Sequence, residues 1–103
     1  MTYRVDISSR AEKEMWEIAD YISFELDSPK AAYDLLDEMG RQIDGLNLMP
    51  KRFALVSDVL LAQKGIRFIP IKNYSVFYVV DEPTKIVTVI SVMYSKRKWA
   101  VLL

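Results

Sequence analysis

Lys96, Arg97 and Lys98 stand together near the end of the chain, with Tyr94 just before them and Trp99 directly after. Cations gathered this closely suit a polyanion or an acidic partner. Arg67 and Arg97 add a specific capability, because a guanidinium fork binds phosphate oxygens bidentately. Lys72 lies between two strand-like runs and is a further cation of the same half. Residues 51–103 hold 9 Lys+Arg and 3 Asp+Glu, a balance of +6, whereas residues 1–50 hold 5 and 11, a balance of −6. The formal net charge of zero is therefore a cancellation between an acidic and a basic half. Such asymmetry points to a binding surface on one side of a molecule.

The missing residue types are as informative. There is no His and no Cys. That removes the usual zinc ligands, the usual neutral-pH general base, any Ser-His-Asp triad, any disulfide and any thiolate nucleophile. No metal and no cofactor are expected. The acidic residues from Glu12 to Asp44 read as a solvated helix face, and Asp81-Glu82 as part of a turn rather than a metal site.

These side chains need a scaffold, and 103 residues with a hydrophobic fraction of 51% fit one compact domain over residues 1–103. MTYRVDISSR lacks the apolar run of a signal peptide, and no stretch is long enough to span a bilayer, so a cytoplasmic location is expected. Tyr3 to Ile7 alternates apolar and polar, which predicts a strand. Ser9 with Glu12 three residues later forms a capping-box pattern opening a helix. Ala11, Met15, Ile18, Ala19, Ile22 and Leu26 form its apolar stripe. Asp27-Ser28-Pro29 stops that helix and starts another, with Ser28 as N-cap and Pro29 in the first turn. Its stripe is Ala32, Leu35, Leu36, Met39, Ile43 and Leu46, and Gly40 suggests close packing against a neighbour. So short a connection predicts a helical hairpin.

Pro50 ends the helical region, and residues 51–63 read as a loop with a short helical turn. Three strands follow, at about 65–71, 74–80 and 86–94, joined by the Lys72-Asn73 turn and by the turn from Asp81 to Lys85. Trp99, Val101 and Leu102 call for cover. The order strand–helix–helix–strand–strand–strand predicts an α+β fold, an antiparallel sheet packed against a helical hairpin. The partner of the first strand is not readable from its pattern.

Taken together, Gly65-x-Arg67 at a strand opening, Asn73-Tyr74-x-Val76-Phe77-Tyr78 in the next strand and Tyr94-x-x-Arg97-x-Trp99 at the end follow a known order and spacing. With YRVDISSRAEKEMWEIADYI at the start and SPKAAYDLLDEM in the second helix, the chain resembles the RelE/ParE family of bacterial type II toxins over nearly its whole length. The resemblance implies the RelE/ParE-like fold and a cognate antitoxin as partner. It implies first an activity on translation, ribosome-dependent mRNA cleavage as in RelE-like relatives; the alternative is non-catalytic inhibition of DNA gyrase, as in ParE-like relatives. A degenerate toxin that only binds its antitoxin is a third reading.

Cleavage by 2′-hydroxyl attack needs a base, cations for the charge developing on phosphorus, and an acid for the leaving oxygen. For that chemistry the candidate catalytic residues are Arg67, Lys72, Tyr94, Lys96 and Arg97. The two arginines would clamp phosphate, or Arg67, opening a buried-looking strand, would instead pair with an acid or with carbonyls; Lys72, Lys96 or Tyr94 would move protons. Tyr94 or Trp99 either stacks on an unpaired base or packs at the sheet edge. The chain departs from the RelE-like nucleases in three places. It lacks a C-terminal His-Tyr pair, has Ser75 where they carry Arg, and has Ser95-Lys96-Arg97 where Gly and paired arginines are usual.

Overall fold

The computed structural model describes residues 2–103. Four strands form one sheet: β1 (Arg4–Ile7), β2 (Arg67–Ile71), β3 (Tyr74–Asp81) and β4 (Ile86–Tyr94), in the order β1-β4-β3-β2. β2, β3 and β4 are an antiparallel meander, with Arg67 opposite Tyr78 and Tyr74 opposite Tyr94. β1 joins at the edge, parallel to β4, with Val5 opposite Val87 and Ile7 opposite Val89. A bulge breaks the β3–β4 ladder. Phe77 pairs with Ser91 and Tyr78 with Val89, which leaves Ile90 unpaired.

Between β1 and β2 run α1 (Ser9–Asp20) and α2 (Pro29–Asp44). The cap of α1 is Ser8, not Ser9: its hydroxyl accepts from Ala11 N at 3.1 Å. Ser8 wins because its own amide is held by Val89 O at 2.9 Å, so the strand pairing fixes where the helix starts. Glu12 then falls one position beyond the capping-box site. At its other end α1 passes into a π-helical turn, Tyr21–Glu25, in which Leu26 N donates to Tyr21 O, five residues back. The extra residue in that turn rotates the chain beyond it. Ile22 remains buried, but Leu26, expected on the apolar stripe, points to solvent at 56% exposure. Asp27 takes a positive φ of 52°, Ser28 comes next as N-cap, and Pro29 opens α2.

The hairpin lays its apolar stripes on one face of the sheet. Leu35, Met39, Ile43 and Leu46 meet Ile69, Val76, Tyr78, Val89 and Val92 in the main core. Side chains this fully buried each stabilise the fold by about 1.5–3 kcal/mol. Gly40 does not support close packing as expected: a Cβ there would meet nothing within 4 Å.

Because side chains alternate along a strand, Phe77 points away from Val76 and Tyr78, to the opposite face. There a smaller core gathers Val56, Ile66, Phe77 and Met93, with Phe68, Trp99 and Leu103 against it. Its cover comes from α3 (Val59–Gln63), capped by Asp58, and α4 (Trp99–Leu102). Gly65, with φ of 81°, ends α3: its amide donates to Ala62 O and that of Ile66 to Leu61 O. This is a Schellman closure that needs the left-handed region. In the tail it is Trp99 and Leu103 that find cover, while Val101 stays 83% exposed. Among the described residues no helix is long and apolar enough to cross a membrane.

Candidate functional site

β4 ends at Tyr94, and the next residues are fixed by their backbone. Ser95 N donates to Asn73 O at 2.8 Å, which ties the end of β4 to the β2–β3 hairpin. The Ser75 and Ser95 hydroxyls sit 2.9 Å apart in hydrogen bond. Arg97 N donates to Tyr94 O at 3.0 Å and Trp99 N to Arg97 O at 2.8 Å. Trp99 is anchored against Phe77, ring centroids 5.5 Å apart. Lys96, Arg97 and Lys98 are thus held on an exposed turn between two fixed points. None of the three side chains has an ion-pair or hydrogen-bond partner among the described residues.

Beside this turn lies a cleft of about 750 Å³ between α1 with its π-helical extension and the start of β3 beside the end of β4. Ile18, Leu26 and Val92 are among its apolar lining. Three tyrosines, Tyr21, Tyr74 and Tyr94, line it together with Asn73, Glu14, Glu17 and Arg97. Tyr74 and Tyr94 meet edge to face at 5.8 Å. Burial raises the Tyr74 hydroxyl above its ordinary pKa, and the nearby Tyr21 and Tyr94 hydroxyls push the same way.

The two carboxylates of the cleft differ. Glu14 Oε1 accepts from Ser91 Oγ at 2.8 Å and from Val92 N at 3.1 Å, and its other oxygen lies 3.6 Å from Arg10 Nε. It serves the part of β4 that lies beyond Val89, where the pairing with β1 has ended. Glu17 has no partner among the described residues.

Of the five candidates read from the sequence, the structure brings Tyr94, Lys96 and Arg97 to one place. Arg67 is elsewhere. It opens β2 on the helix-facing side, where Nη1 donates to Phe53 O at 2.7 Å and Lys51 O at 3.3 Å. Four residue steps along the strand separate it from Ile71, roughly 13 Å along the sheet. Next to it the buried Tyr78 donates to Pro50 O, and burial pushes its hydroxyl up to about 12 against the pull of Arg67 and Arg52. Arg67 and Tyr78 therefore staple the 50–53 segment to the sheet. Lys72 sits at the hairpin tip with φ of 54°, and its side chain faces α2. Asp34, Asp37 and Glu38 lie across a small depression from it. The Lys30 hydrogen bond holds the Asp34 carboxyl below its ordinary pKa, and Lys72 adds to the effect.

Ser75, which stands where RelE-like nucleases carry Arg, is buried and bonded to Ser95. Glu14 was missed by sequence reading, although it had a signal: a carboxylate beside Ala11, Met15 and Ile18 on an apolar stripe needs a buried partner. Tyr21 was missed although it follows Glu14, Glu17 and Ile18 at helical spacing, on the face of α1 that lines the cleft. Among the described residues no group of three or more ligating side chains is placed to hold a metal.

Comparison with known proteins gives the site its context. A search of curated protein sequences finds no match. The fold is similar to that in the chromosomal ParDE system of P. aeruginosa, with a TM-score of 0.73 at 14% identity, covering 91% of this chain and 97% of the other. It is also similar to a mutant E. coli RelE toxin in the free state, with a TM-score of 0.70 at 17% identity, covering 99% and 93%. The RelE–RelB complex of Pyrococcus horikoshii gives a TM-score of 0.57 at 21% identity, covering 94% and 99%. At these identities the likeness is one of fold. The family model of the ParE toxin of the parDE type II toxin–antitoxin system matches residues 5–99. On that match the chain belongs to the ParE toxin family of type II toxin–antitoxin systems.

Proposed function

We propose that this toxin acts by binding a protein target at the Tyr94–Arg97 end of its sheet, with DNA gyrase as that target, and that it does not cut mRNA. A cognate antitoxin is its second protein partner. The observation that carries the reading is the position of Arg67. Its guanidinium donates to the Lys51 and Phe53 carbonyls at the far end of β2, so it cannot join Arg97 on one phosphate. Lys72 faces carboxylates of α2, and the buried Ser75 supplies no charge where a phosphate clamp would need one. A base, an acid and a cation pair around one phosphorus require convergence, and these side chains are dispersed. A ParE family match over most of the chain supports the same choice.

Ribosome-dependent mRNA cleavage is favoured by one observation, the meeting of Tyr94 with the unpaired Lys96 and Arg97. Purified toxin added to a gyrase supercoiling assay, together with mapping of mRNA 5′ ends after brief induction, separates the two. The expected result is loss of supercoiling with intact messages. Arg67→Ala should lower stability without changing inhibition per folded molecule. New cuts in translated messages that vanish in Arg97→Ala would overturn the proposal in favour of cleavage. Unaffected growth and supercoiling would leave a chain that only binds its antitoxin.

A further inference from the structure

The cleft beside Tyr94 has the makings of a cation site on one wall only. Tyr21, Tyr74 and Tyr94 offer aromatic rings, and rings of this kind attract an ammonium or guanidinium laid over their faces. Tyr74 and Tyr94 are already set edge to face, so the box is preformed rather than assembled by the ligand. On the helix side Glu17 presents a carboxylate that no described residue neutralises, whereas Glu14 is committed to Ser91 and Val92. Arg97 stands on the strand side and repels a cation placed against it. A basic group therefore belongs between Glu17 and Tyr21, and an acidic group of the same ligand belongs at Arg97. At about 750 Å³ the space holds several side chains rather than a single ion.

We propose that this cleft seats an arginine or lysine side chain of the cognate antitoxin, with an acidic residue of the same segment paired to Arg97. The proposal presupposes the antitoxin partner assigned above and adds where and by what chemistry it is held. Glu17 and Arg97 both lack partners among the described residues, and a segment carrying one charge of each sign answers both. A purely acidic segment would complement the Lys96–Lys98 turn but would set a carboxylate against Glu17.

The test is calorimetric binding of the full-length cognate antitoxin, measured on the wild-type toxin and on Glu17→Gln, Tyr21→Leu and Tyr21→Phe variants. Glu17 and Tyr21 are exposed, and unfolding midpoints confirm that each variant is folded. Glu17→Gln and Tyr21→Leu should each weaken binding about tenfold. Tyr21→Phe keeps the ring face and should stay within about twofold of wild type. Leucine binding as well as phenylalanine would mark an apolar groove and overturn the proposal. So would unchanged affinity in Glu17→Gln. If the wild-type toxin itself does not bind, the antitoxin assignment falls along with the cleft; if it binds and the variants match it, only the cleft assignment falls.

Discussion

Glu14 shows how a single side chain can hold a site without belonging to its chemistry. Ser91 and Val92 lie beyond Val89, the last residue of β4 paired with β1, and one Glu14 carboxylate oxygen accepts from both the fully buried Ser91 hydroxyl and Val92 N. Removing it strands two buried polar groups, each costing about 1–3 kcal/mol when unmet. Glu14→Ala should therefore destabilise the protein by about 2–4 kcal/mol in urea unfolding, and Glu14→Gln, which retains an acceptor, by less. Equal losses in the two variants would show that charge rather than hydrogen bonding matters here. Arg67 teaches the complementary point. An arginine opening a strand reads as a phosphate clamp in sequence, and only the folded position of residues 50–53 reveals that backbone carbonyls already occupy it. Tyr94 and Arg97 were readable because turn and strand end lie next to each other in the chain.

At the level of elements, the helices and the three-strand meander were legible because each announces itself locally. Apolar residues recur at helical spacing in α1 and α2, and at strand spacing in β2 to β4. What escaped were features settled by distant contacts. The start of α1 is set by Ser8 N on Val89 O, and the parallel pairing of β1 with β4 has no counterpart in either strand's own pattern. The π turn escaped for another reason: one extra residue resets the phase, and Leu26 leaves the stripe that Ala11 to Ile22 define. In α2, Gly40 carries the entropic penalty of glycine in a helix interior, and open space surrounds the missing Cβ. Gly40→Ala should raise stability by about 0.5–1 kcal/mol, read as a higher urea midpoint with an unchanged slope. A lower midpoint would mean that the glycine serves a partner absent from the free protein.

Across the whole molecule, Glu82 gathers segments from both ends of the sequence. Its carboxylate is 2.9 Å from Lys85 Nζ, 3.0 Å from Lys51 Nζ and 3.0 Å from the Tyr3 hydroxyl. Hydrogen bonds from Lys85, then Lys51, then Tyr3 lower its pKa from 4.5 to about 2. The folded carboxyl therefore binds its proton more weakly than the unfolded one. Its contribution is complete above pH 4.5 and is lost as pH falls toward about 2. Wild type should lose stability across that window by more than Glu82→Gln does, and parallel acid limbs for the two proteins would refute the assignment. The opposed charges of the two halves, −6 and +6, were plain in the sequence. Their meeting around one cleft, with Glu17 on α1 and Arg97 after β4, required the fold.

The edge position of β1 also has a meaning for the birth of the molecule. Arg4–Ile7 is the first of the four strands to leave the ribosome, and its strand partner, Ile86–Tyr94, is the last of them. A nascent chain must carry that unpaired strand until everything between the two has been made, and long-range pairing of this kind forms slowly. The cleft walls come from the same two extremes, so no earlier folding unit can present Tyr21 opposite Tyr94 and Arg97. The cleft thus forms only once β4 and the turn beyond it have emerged, and a message cut short before β4 yields a chain that is open to proteases and lacks the cleft.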